Sequence, residues 1–96
     1  MDKDALLKER FDKAVRIAAE MDPLPPDIML EFYAYYKQAT KGDHFFSFNA
    51  NNQEEEESDI RRSFKFNAWT QLRGISPKRA KKDYIKLVEK YSNTTI

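Results

Sequence analysis

At 96 residues the chain is long enough for one domain and not two, and a hydrophobic fraction of 41% allows a core while 34% charged residues require a strongly polar surface. No apolar run approaches the ~20 residues of a membrane-spanning helix. The stretch Met1–Arg10 contains acidic residues and no apolar run long enough for a secretory signal, and a chain without cysteine has no disulfides, no thiol catalysis and few ways to build structural zinc. The simplest expectation is a cytoplasmic protein without an integral membrane segment. The net charge of +1 hides an asymmetry: residues 1–60 carry 7 Lys/Arg against 14 Asp/Glu, and residues 61–96 carry 10 against 2. A basic C-terminal third has two readings, an anionic partner or lysines that solvate two helices.

In chain order, Leu7, Phe11, Ala14, Val15, Ala18 and Met21 recur at three- and four-residue spacing and predict a first helix from about Asp4 to Met21. The turn Asp22-Pro-Leu-Pro-Pro26 stops it. A second helix is expected over about 27–40. Met29, Tyr33, Tyr36 and Thr40 form one stripe and Phe32, Tyr35 and Ala39 another, so most of its circumference is apolar or aromatic. Such a helix sits centrally, or offers one face to the core and one to a ligand. A long connection follows over residues 41–58, with the polar, acidic run 49–57 inside it. His44–Phe48 is the one weak strand candidate.

The third helix is predicted over about 59–73, capped by Ser58 or Asp59. Ile60, Phe64, Ala68 and Leu72 are spaced by four, with Phe66 and Trp69 alongside. Gly74 ends it, as Gly42 ends the second, each at a place that favours positive φ. Ser76 followed by Pro77 is a helix start. The fourth helix, about 77–91, puts Ala80, Tyr84, Leu87, Val88 and Tyr91 on one face. The class is all-α, a four-helix bundle in one domain over residues 1–96.

Little in the sequence suggests catalysis. His44 stands alone with no thiol or second imidazole, which general acid–base work and metal binding would both use. Glu54–Glu57 lacks the alternating ligands and glycine of a calcium loop. No glycine-rich phosphate loop and no nucleophile motif is present. The expectation is a protein that is not an enzyme and holds neither metal nor cofactor.

Two clusters combine rings with cations. On a helix Tyr33, Tyr36 and Lys37 share one patch. A tyrosine supplies a ring for stacking and a hydroxyl, and a lysine supplies a compact charge suited to phosphate. The plainer reading is a tyrosine-rich core stripe with a lysine reaching past it to water. In Arg61–Trp69, Arg61 and Lys65 lie four apart on one face while Phe64, Phe66 and Trp69 pack elsewhere; a solvated cationic face is equally consistent. Tyr84, one turn after a lysine-rich start, reads as core by itself.

The pieces FDKAV (11–15), MLEFYAYYKQATKGD (29–43), KFNAWTQLRGIS (65–76) and DYIKLVEKY (83–91) resemble the acyl-CoA-binding protein family in content, order and approximate spacing. The resemblance covers roughly residues 6–91 apart from the middle loop. It implies an up-down-down-up bundle in which the two middle helices run parallel across a long loop. It implies non-catalytic binding, buffering and intracellular transport of long-chain fatty acyl-CoA esters by a monomer. The family's head-group contacts fall on Tyr33, Tyr36 and Lys37. Its 3′-phosphate ligand falls on Lys65, a further cation on Arg61, and the tyrosine at the adenine end on Tyr84. Trp69 matches a tryptophan that is more core than contact. The chain departs from the family in lacking an Arg-Pro-Gly element before the third helix. Its loop is longer and acidic, Phe66 replaces a frequent tryptophan, and Ala19 stands at a basic position with Arg16 one turn earlier. The alternatives are a helical protein-interaction module and a binder of nucleic acid or another anionic surface. On the favoured reading a nucleic-acid partner is not expected.

Overall fold

Caps and prolines decide where each helix begins. A computed structural model describes residues 2–45 and 59–96. These form α1 (Lys3–Glu20), α2 (Pro26–Lys41), α3 (Asp59–Thr70) and α4 (Pro77–Ser92), and no strand occurs among the described residues. The Asp2 carboxylate accepts from the Asp4 N–H and starts α1. Pro26 opens α2 at a position where its missing N–H costs nothing. The Ser76 hydroxyl accepts from the Arg79 N–H at 3.1 Å, with Pro77 in the first turn of α4. Gly42 and Gly74 have φ of 60° and 90°, as their places after helical segments predicted.

The helix directions follow from which ends meet. Asp4 pairs with Lys78 at 3.1 Å, and Ile17 and Met21 share a cleft with Tyr91 and Ser92, so α1 and α4 are parallel. Phe32 packs on Tyr91, while Gln38 reaches the Ile75 carbonyl, so α2 runs against α4. Lys65 stands over Tyr33, and Trp69 bonds to Gln38, so α3 runs parallel to α2. The result is the up-down-down-up order, with α4 packed on α1 and α2, and α3 packed principally on α2.

The core lies between α1, α2 and α4: Leu7, Phe11 and Ala14 meet Phe32 and Ala39, and Ala80, Tyr84, Ile85 and Val88. Four aromatic rings interlock there. Tyr84 lies 5.3 Å from Phe11 and 5.8 Å from Phe32, centroid to centroid, and Phe32 lies 5.9 Å from Tyr91. No helix among the described residues is long and apolar enough to cross a membrane.

Two expectations for α3 need correction. The helix ends at Thr70, not near residue 73. Leu72 and Arg73 donate to Trp69 and Thr70 in a tighter i→i−3 turn that leads into Gly74. The expectation that Phe64 packs alongside Phe66 and Trp69 is not met either: Phe64 is 57% exposed, and Ile60 of the same four-residue stripe 69%. Residue spacing identified a periodic face, but α3 has a neighbour on one side and turns Trp69 toward it, leaving the N-terminal half of the stripe outward. Of the strand candidate, His44 and Phe45 form a turn. Residues 46–48, the acidic run 49–57 and the Ser58 cap lie outside the described residues.

Candidate binding site

The open face of α2 is where the sequence-predicted residues meet. Around the helix axis Met29, Tyr33, Tyr36, Lys37 and Thr40 fall within one arc. Buried Ala34 and Gln38 bound it toward α3, and buried Phe32 and Ala39 bound it on the other flank.

Tyr33 is the centre of the first group. The Lys37 Nζ lies 5.8 Å from its ring centroid and the Lys65 Nζ 5.2 Å. Lys37 also lies 5.7 Å from the Trp69 ring. Cation–π attraction holds each ammonium near a ring face, and an anion within reach of either would gain a charge-assisted contact. Arg61 sits exposed one turn before Lys65 on the same side of α3. Lys65 is the α3 cation that reaches the Tyr33 ring.

Tyr36 and Tyr84 form the second group. Tyr36 is 39% exposed and stacks on Phe11 at 6.1 Å with an interplanar angle of 17°. Its ring lies 6.2 Å from that of Tyr84. Tyr84 is buried, and burial, with a smaller contribution from Tyr36, pushes its phenol up to about 12. Five of the six residues therefore meet beside α2 in two neighbouring groups, and Arg61 joins them only through its spacing from Lys65. Tyr33, Lys37, Lys65 and Arg61 lie toward α3; Tyr36 and Tyr84 lie toward α1 and α4. Tyr84 reaches the open face through Tyr36, and its own ring is core.

Sequence reasoning missed two participants. Phe11 reads as an ordinary core position, yet it is the surface on which Tyr36 rests. Gln38 is fully buried behind Lys37 and accepts from the Trp69 Nε1 at 3.0 Å. Its only sequence signal is its place directly after Lys37, which says nothing about burial. A cleft of about 530 Å³, lined by Ile17, Met21, Leu24, Tyr91 and Ser92 among others, lies by the α1–α2 turn and contains none of the six residues. Among the described residues no group of three acidic or imidazole side chains could hold a metal ion.

Comparison with known proteins agrees with this geometry. A family model described as "Acyl CoA binding protein" matches residues 8–88. The "Acyl-CoA-binding protein" of Saccharomyces cerevisiae is 34% identical over 95 residues, covering 92% of this chain and 100% of that one. The "Acyl-CoA-binding protein homolog" of Manduca sexta is 38% identical over 84 residues, covering 86% and 88%. "Acyl-CoA-binding protein 2" of Saccharomyces pastorianus is 32% identical over 95 residues, covering 92% and 100%. No solved structure matches. A match that runs through all four helices, together with these relatives, places the chain in the acyl-CoA-binding protein family.

Proposed function

We propose that the protein binds long-chain fatty acyl-CoA esters without chemistry, as a monomeric single-domain carrier and buffer in the cytoplasm. The observation that carries this is the pair of ammonium groups over the Tyr33 ring, 5.8 and 5.2 Å from its centroid, on an open aromatic face. That face combines a flat surface for a nucleobase with cations for phosphate.

The CoA head lies on α2. Tyr33, Tyr36 and Lys37 contact adenine, ribose and phosphates, Lys65 holds the 3′-phosphate, Arg61 adds charge, and Tyr84 supports the adenine end through Tyr36. Each charge-assisted phosphate bond contributes ~1.5–3 kcal/mol, and a stacked ring about 0.5–1.5 kcal/mol. The acyl chain runs toward the N-terminal halves of α2 and α3. Because Tyr33 is level with Lys65 and the helices are parallel, Met29 is level with Arg61, and the exposed apolar side chains Met29, Ile60 and Phe64 are near this end. Apolar surface that leaves water there gains about 25 cal/mol per Å². The two interactions are separable: the head supplies orientation and the tail supplies most of the affinity.

A calorimetric titration with acyl-CoAs of graded chain length, with free CoA and free fatty acid as controls, tests this. Affinity should rise with chain length, and both controls should bind more weakly than palmitoyl-CoA. Binding of free fatty acid as tight as that of its CoA ester would refute the head-group assignment. A series with no dependence on chain length would refute the carrier reading.

A further inference from the structure

Gln38 is the one buried polar side chain among the described residues, and its amide is used at both ends. Its Nε2 donates to the Asp43 carboxylate at 2.8 Å and to the Ile75 carbonyl at 2.7 Å. Its Oε1 accepts from the Trp69 Nε1, which also donates to the Gly42 carbonyl at 3.1 Å. The same Asp43 oxygen accepts from the Gly74 N–H at 3.2 Å. One amide therefore joins α2, the chain directly after it, α3 and the turn into α4.

The location of this network matters for the site. α3 packs principally on α2, and the network grips it at Trp69, one turn after Lys65. On the α2 side the grip is at Gln38, next to Lys37. A rotation of α3 about its axis that would carry Lys65 away from Tyr33 must break the Trp69–Gln38 bond. It would also leave a buried indole N–H and amide without partners, which low-dielectric surroundings penalise. Neither Gln38, which is fully buried, nor the Asp43 carboxylate, which is occupied by Gln38 and Gly74, is turned to the open face.

We propose that Gln38 and Asp43 are positioning residues for phosphate recognition: with Trp69 they fix the rotational setting of α3, which keeps Lys65 over Tyr33 and sets how strongly the site distinguishes a ligand with a 3′-phosphate from one without. This rests on Lys65 as the 3′-phosphate ligand. Asp43 acts only as an acceptor, so an amide oxygen at the same place serves equally well, whereas a methyl group does not.

The measurement is the ratio of the dissociation constants of dephospho-palmitoyl-CoA and palmitoyl-CoA, by calorimetry, for the native chain and for Lys65→Ala, Gln38→Leu, Asp43→Ala and Asp43→Asn. Lys65→Ala should bring the ratio close to one. Gln38→Leu and Asp43→Ala should lower it about tenfold, the loss of most of one charge-assisted phosphate contact, while Asp43→Asn retains it. Asp43 is exposed, so its variants keep the core intact if Gln38→Leu does not fold. The emission of Trp69, the sole tryptophan, should shift in Gln38→Leu and remain native in Asp43→Asn. If both ligands weaken equally in Gln38→Leu and Asp43→Ala, the network merely stabilises the fold and the proposal fails. If Lys65→Ala leaves the ratio at its native value, the phosphate assignment itself is wrong and the proposal falls with it. A ratio moved by Lys65→Ala alone overturns only the positioning role.

Discussion

Tyr33 carries the site at the scale of single residues, because two lysines from different helices share its ring. Lys65→Ala should weaken palmitoyl-CoA binding by about ten- to a hundredfold, the loss of one charge-assisted bond. Calorimetry on the folded variant checks this, and unchanged affinity would remove Lys65 from the site. Tyr33→Phe keeps the ring and loses only the hydroxyl, so it should cost no more than about tenfold. Tyr84 makes a separate prediction. Its phenol stays neutral in the folded chain up to about 12, while an unfolded tyrosine ionises near 10. Between these values the unfolded state binds fewer protons, so the Tyr84 contribution to stability should be level below about pH 10 and fall as pH rises toward 12. Urea unfolding at a series of alkaline pH values reads this fall directly, and Tyr84→Phe should flatten it. Asp43 shows the opposite sign. The Gln38 and Gly74 hydrogen bonds hold its carboxyl below the usual carboxylate value, so its contribution is complete at neutral pH and is lost in acid.

At the scale of elements, α4 is the most legible from sequence and α3 the least. Ser76 and Pro77 start α4, and of its predicted face Ala80, Tyr84 and Val88 are buried and Leu87 and Tyr91 half-buried, since a helix buried along one face must repeat its apolar residues at that spacing; the buried Ile85 was not in the predicted set. Ser76→Ala should remove the cap and lower stability by about 1 kcal/mol, measured by chemical unfolding. The predicted stripe on α3 was periodic as well, yet Ile60 and Phe64 face outward, because periodicity shows that a face exists and not which neighbour covers it. Their exposure has a consequence for the ligand. Phe64→Ser should weaken palmitoyl-CoA more than free CoA, by about tenfold in the ratio if the chain runs along this flank. An equal effect on both ligands would place the chain elsewhere.

At the scale of the whole molecule, charge asymmetry and aromatic content acquire meaning only together. The basic C-terminal third suggests an anionic partner, but its exposed lysines are consistent with many. What narrows the choice is that Lys65 from this half meets Tyr33 of the acidic half, the ring that Lys37 also approaches. Binding that combines a few phosphate contacts with an apolar chain should weaken only modestly with salt. A steep fall of affinity across 50–200 mM salt, together with indifference to chain length, would instead fit a nucleic-acid binder. Palmitoyl-CoA titrations at those two salt concentrations decide between the two.

The sequence by itself determined the four helices, the Ser76 start of α4, the Gly42 end of α2, the class and, through the order of its motifs, the family. These depend on local chemistry: which residue can cap, which can adopt positive φ, and how often an apolar side chain recurs. Only the tertiary structure decided that Phe11 supports Tyr36, that Gln38 is buried among four segments, and that Lys65 falls over Tyr33. Those contacts depend on how far each helix is rotated about its own axis, and that is set by the neighbours it packs against.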